Sequence, residues 1–485
     1  MASIGLFEAS ISLFCFLIFY YILINKHYGN LLIKKYLQSC PWNWPVLGML
    51  PVVLMRFNRI DDAIYIIEKT NLTFLFKGPW FSRMDALITV DPANIHHILT
   101  SNFSNYVKGP EFKEIFDVYG DAIFNTDGEL WKNLRMSFQV ILHQQGFQNL
   151  SLSVTTSKLK DVLLPLFSRF SEEGTVVDLQ DVFRRFMFDI SLISITGSDP
   201  QSLSIEMPEV DFAKAFDNAG EAILFRHVIP KFLWKFQRWM GLGQEKMLLE
   251  AGATFDRICA KYINEKREEI RSQGIDHDHS NGETMISSLE KPFYLSFSQG
   301  GIPLPLLSLG FSDSSQKTLT WKPRFAKKSS QIYRKLLVYL HASLYEAMRL
   351  YPPIPFERKS PIKSDVLPSG HKIDANSNII IPIYALGRMR SVWGEDAWEF
   401  KPERWISETG GLRHEPSSKF LAFNSGPRTC PGKHLAMVTM KTVVVEILQN
   451  YDINLVKGHK IEPKPRLALQ MNHGLRVTLT KRSSA

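Results

Sequence analysis

Cysteine is scarce and scattered in this sequence. The four cysteines, Cys15, Cys40, Cys259 and Cys430, lie far apart in 485 residues, and none belongs to a CxxC pair. That excludes a disulfide scaffold and leaves a zinc site without support. A dense Lys/Arg patch interleaved with aromatics is also missing. Lys+Arg 57 against Asp+Glu 48 gives a net charge of +9, a mild excess spread along the chain. Nucleic-acid binding is therefore not expected; a cytosolic membrane face or an acidic protein partner fits better. Internal repeats are absent too. What remains is an ordinary globular composition, 45% hydrophobic and 22% charged, which excludes disorder and fibrous folds.

The amino end departs from that average. No residue from Ala9 to Asn25 is charged, and Ile11 to Ile24 is almost wholly apolar. Extended back through Gly5, Leu6 and Phe7, the run reaches about 20 residues, enough for a helix to cross a bilayer. A cleaved signal peptide would carry basic residues before the run; here Lys26, His27, Lys34 and Lys35 follow it. Residues 1–26 are thus expected to be a single membrane anchor, with everything beyond in the cytosol by the positive-inside rule. Residues 27–51 are basic, then rich in proline, with Pro41, Pro45 and Pro51. They read as a stiff, extended connector, because proline fixes φ and removes a donor.

The body, 52–485, reads as mainly helical with a minor β portion. Leu72–Phe76 and Ala86–Val90 alternate like strands, the stretch from about 130 to 271 is mostly helical, and short strands return around 361–385. A helix is expected over Leu337–Leu350 and another from about Gly432 to Tyr451. Nothing inside the body invites a domain cut.

The chemistry concentrates in Phe423-Asn424-Ser425-Gly426-Pro427-Arg428-Thr429-Cys430-Pro431-Gly432, directly before that last helix. A lone cysteine is usually a small buried hydrophobe. Here Cys430 stands at a helix start, where free N–H groups and the dipole favour a thiolate. Gly426 and Gly432 let the backbone pass close to something large and flat, and Arg428 supplies a cation for a carboxylate on the same bound object. A thiolate on such a loop suits an axial ligand to haem iron.

This segment resembles the cysteine loop of the cytochrome P450 haem-thiolate monooxygenases, Phe-x-x-Gly-x-Arg-x-Cys-x-Gly. Further segments resemble that family in the right order. Trp131-Lys132-Asn133-Leu134-Arg135 matches its Trp-x-x-x-Arg, Glu346-Ala347-Met348-Arg349 its Glu-x-x-Arg, and Lys401-Pro402-Glu403-Arg404-Trp405 its Pro-Glu-Arg-Phe, with Trp in the place of Phe. The resemblance implies a cytochrome P450 fold behind one N-terminal transmembrane helix, with haem b held by Cys430 as the metal ligand. It also implies propionate contacts from Trp131, Arg135 and Arg428, with Arg358 a weaker candidate, and a supporting cluster of Glu346, Arg349 and Arg404. The carboxyl third is similar to the plant fatty-acid ω-hydroxylases and mid-chain alkane hydroxylases, through segments such as Tyr339–Glu346, Gly387–Gly394 and Gly410–Pro416. The implied partners are an NADPH-dependent cytochrome P450 reductase and a lipid-like substrate, and the implied place is the endoplasmic-reticulum membrane.

One part of the family pattern is missing. Between Glu283 and Leu336 the family has a long helix with an Ala-Gly-x-Asp-Thr-Thr step, whose acid and alcohol relay protons to bound oxygen. Here stands Gly300-Gly301-Ile302-Pro303-Leu304-Pro305, in which the prolines forbid a regular helix. Codons permitted for Ser298 to Thr318, read from each third base, yield Ala-Gly-Arg-Asp-Thr-Thr-Ala-Ser-Ala-Leu-Thr-Trp-Phe-Phe, one variable position, then Leu-Leu-Ser-Glu-Asn-Pro. Residues 286–335 are therefore read as an aberrant segment, out of frame through a frameshift or a gene-model error. No distal catalytic acid or alcohol is assignable. The rival expectation is a membrane-anchored, non-catalytic remnant that binds haem poorly or not at all.

Overall fold

Two prolines and one glycine shape the first residues seen in the computed structural model, which describes 43–55, 60–272, 330–464 and 466–482. The expected anchor, the first part of the linker and most of the aberrant segment lie outside these residues. Among the described residues no helix is long and apolar enough to cross a membrane. The end of the linker is not the extended rod expected from its prolines. Gly48 takes φ +60, closing a turn in which Gly48 N–H donates to the Trp44 carbonyl at 3.0 Å. Helix α1, Leu50–Met55, follows at once. Pro51 fits its first turn, where no backbone donor is needed.

A five-stranded sheet comes next. Its strands are β1 (Thr73–Phe76), β2 (Ala86–Thr89), β3 (Tyr106–Val107), β5 (Glu357–Pro361) and β8 (Asn378–Ile381), in the order β1-β2-β8-β5-β3. Only β2 and β8 run parallel, with Ala86 opposite Asn378; Arg358 of β5 lies antiparallel to Ile380. The β-branched run of β8 suits a strand buried in the middle of a sheet. Before it stands α2 (Ile60–Lys69), and between β2 and β3 stands α3 (Pro92–His96).

The helical body runs through α4 (Gly109–Ile115), α5 (Gly128–His143), α6 (Gln145–Lys158), α7 (Leu164–Glu173), α8 (Leu179–Thr196), α9 (Asp211–Val228), α10 (Lys231–Met240) and α11 (Gly243–Ser272). It resumes with α12 (Ser330–Leu350), then the short α13 (Ile383–Leu386) and α14 (Arg390–Trp393), and α15 (Lys433–Asn450). A second sheet pairs β4 (Val177–Asp178) and β9 (Tyr451–Leu455) on either side of β12 (Arg476–Lys481). Two-stranded pairs β6 (Asp365–Val366) with β7 (Lys372–Ile373) and β10 (Pro463–Lys464) with β11 (Gln470–Met471) complete it. Helix ends follow local chemistry. Asp178 caps α8 by accepting from Gln180 N–H, and Gly197 ends it at φ +80, a conformation that costs glycine little.

The largest apolar core joins α7, α8, α12 and α15 through residues such as Phe167, Phe186, Leu344 and Val443, each wholly or almost wholly buried. Burying a side chain of this kind stabilises by about 1.5–3 kcal/mol. This core fixes α12 against α15, and so holds Glu346 and Cys430 in one frame. A second core, under the five-stranded sheet, positions β8 and the segment before β3.

Candidate functional site

The loop before α15 is tied to itself. Cys430 N–H donates to the Phe423 carbonyl at 2.7 Å, and Thr429 N–H and hydroxyl both donate to the Gly426 carbonyl, at 3.0 and 2.7 Å. Gly426 sits at φ +62, and a Cβ there would lie 1.9 Å from the Leu99 carbonyl oxygen. The glycine is therefore required by the chain's own backbone. This corrects the expectation that Gly426 makes room for a flat bound group. Gly432 has no such neighbour: its Cβ would stand 4.0 Å from the Cys430 sulfur.

Cys430 keeps a solvent-accessible face, while the protein around it desolvates the sulfur and raises the thiol above its ordinary range. Both hold for a sulfur on the floor of a concavity. Opposing the burial are N–H groups of Gly432 and Lys433 at the start of α15 and the charges of Arg135 and Lys433. These are the groups that stabilise a thiolate once something else, such as a metal, offsets the desolvation. Arg135 stands one turn beyond Trp131 on α5; burial lowers its affinity for the proton and Cys430 raises it.

Arg428 crosses to the same place from the loop. Its guanidinium lies 4.7 Å from the centre of the Trp131 ring and donates to the Thr126 carbonyl at 2.7 Å and to Asp127 Oδ1 at 2.6 Å. Its Nε is buried without a partner. Asp127 also accepts from the N–H groups of Lys108 and Gly109, each at 3.0 Å, and so is already shared.

Next to Arg428 lies a buried run on β5, of which only Arg358 had been marked. Glu357 takes Lys108 Nζ at 2.6 Å and stands 3.6 Å from Lys359 Nζ. Lys359 is fully buried, its Nζ has no hydrogen-bond partner, and burial pushes it down to about 7. Arg358 between them pairs with Glu111 at 2.8 Å and Asn378 at 2.6 Å. Cations Lys108, Arg135, Arg358, Lys359 and Arg428 thus face carboxylates Glu111, Asp127 and Glu357. Two positive charges are in surplus, and two buried donors are unused. Burying charge without a partner is costly, so this belt fits a bound dianion. Haem, with two carboxylates and an iron able to accept a thiolate, is matched by the belt and by Cys430 together. In sequence, Arg358 alone of this group was a candidate, and nothing singled out Lys108, Glu357 or Lys359. The signal available was a charged triplet placed inside a strand that the sheet buries.

The cluster of Glu346, Arg349 and Arg404 is of the opposite kind. Glu346 is wholly buried and receives Arg349 through two bonds of 2.7 Å, Lys401 N–H at 2.9 Å and Arg404 Nε at 3.4 Å. Trp405 Nε1 adds a bond of 2.9 Å, which a phenylalanine in that place could not make. Arg349 further reaches the carbonyls of Gly387, Ala397 and Glu399, and Arg404 those of Trp393 and Asp396. No donor capacity is idle on the buried carboxylate side, so the cluster pins the end of α12 to the segment 387–405.

A cysteine at a helix start, beside a surplus of buried cations and behind a saturated Glu–Arg–Arg brace, defines a site of the haem-thiolate class. The comparisons agree. The sequence profile described as Cytochrome P450 matches residues 40–291 and 325–479, and the chain belongs to the cytochrome P450 family of monooxygenases. The interval 292–324 lies between the matched parts. The chain is 49% identical to "Alkane hydroxylase MAH1" of Arabidopsis thaliana, over 99% of this chain and 100% of that protein. It is 38% identical to "Noroxomaritidine synthase" of Narcissus aff. pseudonarcissus MK-2014, over 98% and 96%. "Cytochrome P450 86B1" of Arabidopsis thaliana is 34% identical over 93% and 87%. The family implies a haem-thiolate iron, a redox partner and a hydrophobic substrate.

Proposed function

We propose that this chain hydroxylates long alkyl or acyl chains, with haem b bound through Cys430 and electrons delivered by an NADPH-dependent cytochrome P450 reductase at the endoplasmic-reticulum membrane. Bound there, the haem would activate O₂ with a thiolate electron push. The observation that supports the reading is the charge of Arg135 on Cys430, with Arg135 in turn near Arg428 over the Trp131 ring and two cations left over. Arg428, Arg135 and Lys359 would receive the propionates, and Trp131 would pack against that edge. Glu346, Arg349 and Arg404 keep the loop-bearing side rigid, while residues 1–26 keep the body at the membrane. The long-chain substrate class draws its support from the likeness to an alkane hydroxylase and from the ω-hydroxylase-like carboxyl third.

The reading is tested with the full chain. A reduced carbon-monoxide difference spectrum should give a thiolate-type Soret band, and incubation with reductase and a long-chain alkane or fatty acid should give hydroxylated product. No thiolate band from folded protein would overturn it. The alternative, a non-catalytic remnant, is not favoured by the family match, although 292–324 lies outside it. Replacing this segment with Ala-Gly-Arg-Asp-Thr-Thr and its downstream helix should raise turnover by about 10²–10⁴, the usual worth of positioned proton delivery. Equal turnover with and without the replacement would contradict the account of the distal side.

A further inference from the structure

A cleft with about 560 Å³ of free space lies between the loop that joins β1 to β2, the start of α4, and strands β5 and β8. Five charged side chains line it: Arg83, Asp85, Lys108, Glu111 and Arg358. Four of them are held. Lys77 Nζ at 2.7 Å and Gly78 N–H at 2.9 Å occupy the two oxygens of Asp85. Glu111 holds Arg358 at 2.8 Å, and Glu357 holds Lys108 at 2.6 Å. Arg83 alone of the five has no ion-pair or hydrogen-bond partner among the described residues. It is exposed, so a ligand reaches it directly from solution.

Two features mark this arginine as placed. Along 82–86 the side chains alternate: Ser82, Met84 and Ala86 line a neighbouring recess, while Arg83 and Asp85 line the cleft. Arg83 also stands at φ +54, a left-handed conformation that is costly for any residue with a Cβ. No contact of its side chain within the protein offsets that cost, and strain of this kind gathers at ligand sites. The chemistry of the missing partner follows from the charges. One free guanidinium among neutralised pairs matches one negative charge; a dianion would face Asp85 and Glu111 without a second free cation. Two parallel N–H donations from a planar guanidinium suit a carboxylate. The Ser360 hydroxyl, also without a partner among the described residues, lines the same cleft. Trp80, which lines it too, is 79% exposed, and the rings of Phe81 and Phe232 continue from it at steps of 5.9 Å. Apolar surface that begins beside a lone cation suits a long chain with a charged head.

We infer that this cleft receives the carboxylate of a long-chain acid on Arg83, with the first methylene groups laid over Trp80. The inference rests on the chain-oxidising reading and narrows it from alkyl or acyl chains to acids. Arg83 is then the residue that tells an acid from a hydrocarbon.

The test is isothermal titration of the full-length chain in a neutral detergent at about pH 8.5, where the acid is ionised. The ligands are dodecanoate, methyl dodecanoate and dihexanoyl phosphatidylglycerol, each corrected against detergent alone. Dodecanoate should bind about five- to tenfold more tightly than its methyl ester, the span between the best exposed ion pairs and the weakest charged hydrogen bonds. Arg83→Gln should bring the two within about twofold. Arg83→Gly, which relieves the left-handed backbone, should lose the preference as well, and Arg83→Lys should keep part of it. Equal affinity of acid and ester in the parent, or a preference that survives in Arg83→Gln, would overturn the inference. So would tighter, Arg83-dependent binding of the phosphatidylglycerol, which would make the cleft a lipid head-group site. If the variants do not fold, the acid-to-ester ratio of the unaltered chain still decides. Failure of the wider reading is seen separately. An absent thiolate-type carbon-monoxide band with the acid preference intact removes that reading alone, and a normal band without the preference removes this one alone.

Discussion

Two buried charge clusters flank the cysteine loop, and they are built on opposite principles. Around Glu346 the donors of Arg349, Arg404, Lys401 and Trp405 converge on one carboxylate, and the remaining guanidinium groups find backbone carbonyls. Around Glu357 the cations outnumber the carboxylates, Lys359 Nζ and Arg428 Nε have no hydrogen-bond partner, and one lysine is pushed to about 7. A saturated cluster is complete in the protein alone and holds the fold. An unsaturated one is complete only with a ligand of the missing charge. The difference separates brace from binding site without any reference to a motif.

The sharpest way to break this comparison is at the cysteine between the clusters. Cys430→Ala should abolish the thiolate-type carbon-monoxide band and all monooxygenase activity while leaving the melting temperature of the haem-free chain nearly unchanged. Cys430→His should do the same to the band, since only a thiolate supplies the electron push. A surviving thiolate band in either variant would exclude Cys430 as the metal ligand.

The saturated cluster should respond through stability. Glu346→Ala strands the buried Arg349 and should cost about 3–5 kcal/mol, the usual loss when one partner of a buried pair is removed. Denaturant unfolding would read it as a large fall in midpoint, or as loss of soluble protein. A midpoint within experimental error of the parent would show that the brace is ornamental.

The unsaturated cluster should respond to pH. With its folded affinity lowered from the ordinary 10.5 to about 7, Lys359 holds fewer protons in the folded chain than in the unfolded one between those values. Stability of the haem-depleted chain should therefore rise with pH from about 7 to about 10.5, with a slope approaching but not exceeding about 1.4 kcal/mol per pH unit. Lys359→Met should flatten this slope, and so should loading with haem, whose carboxylates would keep the lysine charged. Denaturant unfolding across that pH range measures it; an identical slope in Lys359→Met would assign the effect elsewhere.

The same contrast explains what could be read from the sequence. The cysteine loop and the Glu346–Arg349 pair are local in the chain, the latter three residues apart on one helical turn, so their chemistry shows in short segments. The strands at Leu72–Phe76 and Ala86–Val90 and the helices before and after the loop were legible for the same reason, since hydrophobic period is a local property. The belt is not local. Lys108 meets Glu357 across 249 positions, and Arg428 meets Asp127 across 301. Nothing near Lys108 or Lys359 announces burial, because burial is decided by a sheet whose strands come from both ends of the chain. The prolines of residues 41–51 misled for a related reason: they restrict φ, but Gly48 supplies the left-handed conformation that closes a turn. Trp405 was visible only as a departure from a pattern, and its bond to Glu346 required the fold.

The most direct measurement is a haem titration of the haem-depleted full-length chain, comparing the parent with the double variant Arg428→Met, Lys359→Met. Hydrogen bonds to charged groups are each worth about 1.5–3 kcal/mol, so the double variant should bind haem at least about tenfold more weakly. The haem-free melting temperature of the single variant Lys359→Met should stay the same or rise, since a buried cation without a hydrogen-bond partner is gone. Unchanged haem affinity of the double variant combined with a lower melting temperature of Lys359→Met would contradict the account, for it would make the belt a second brace rather than a cradle for an anionic cofactor.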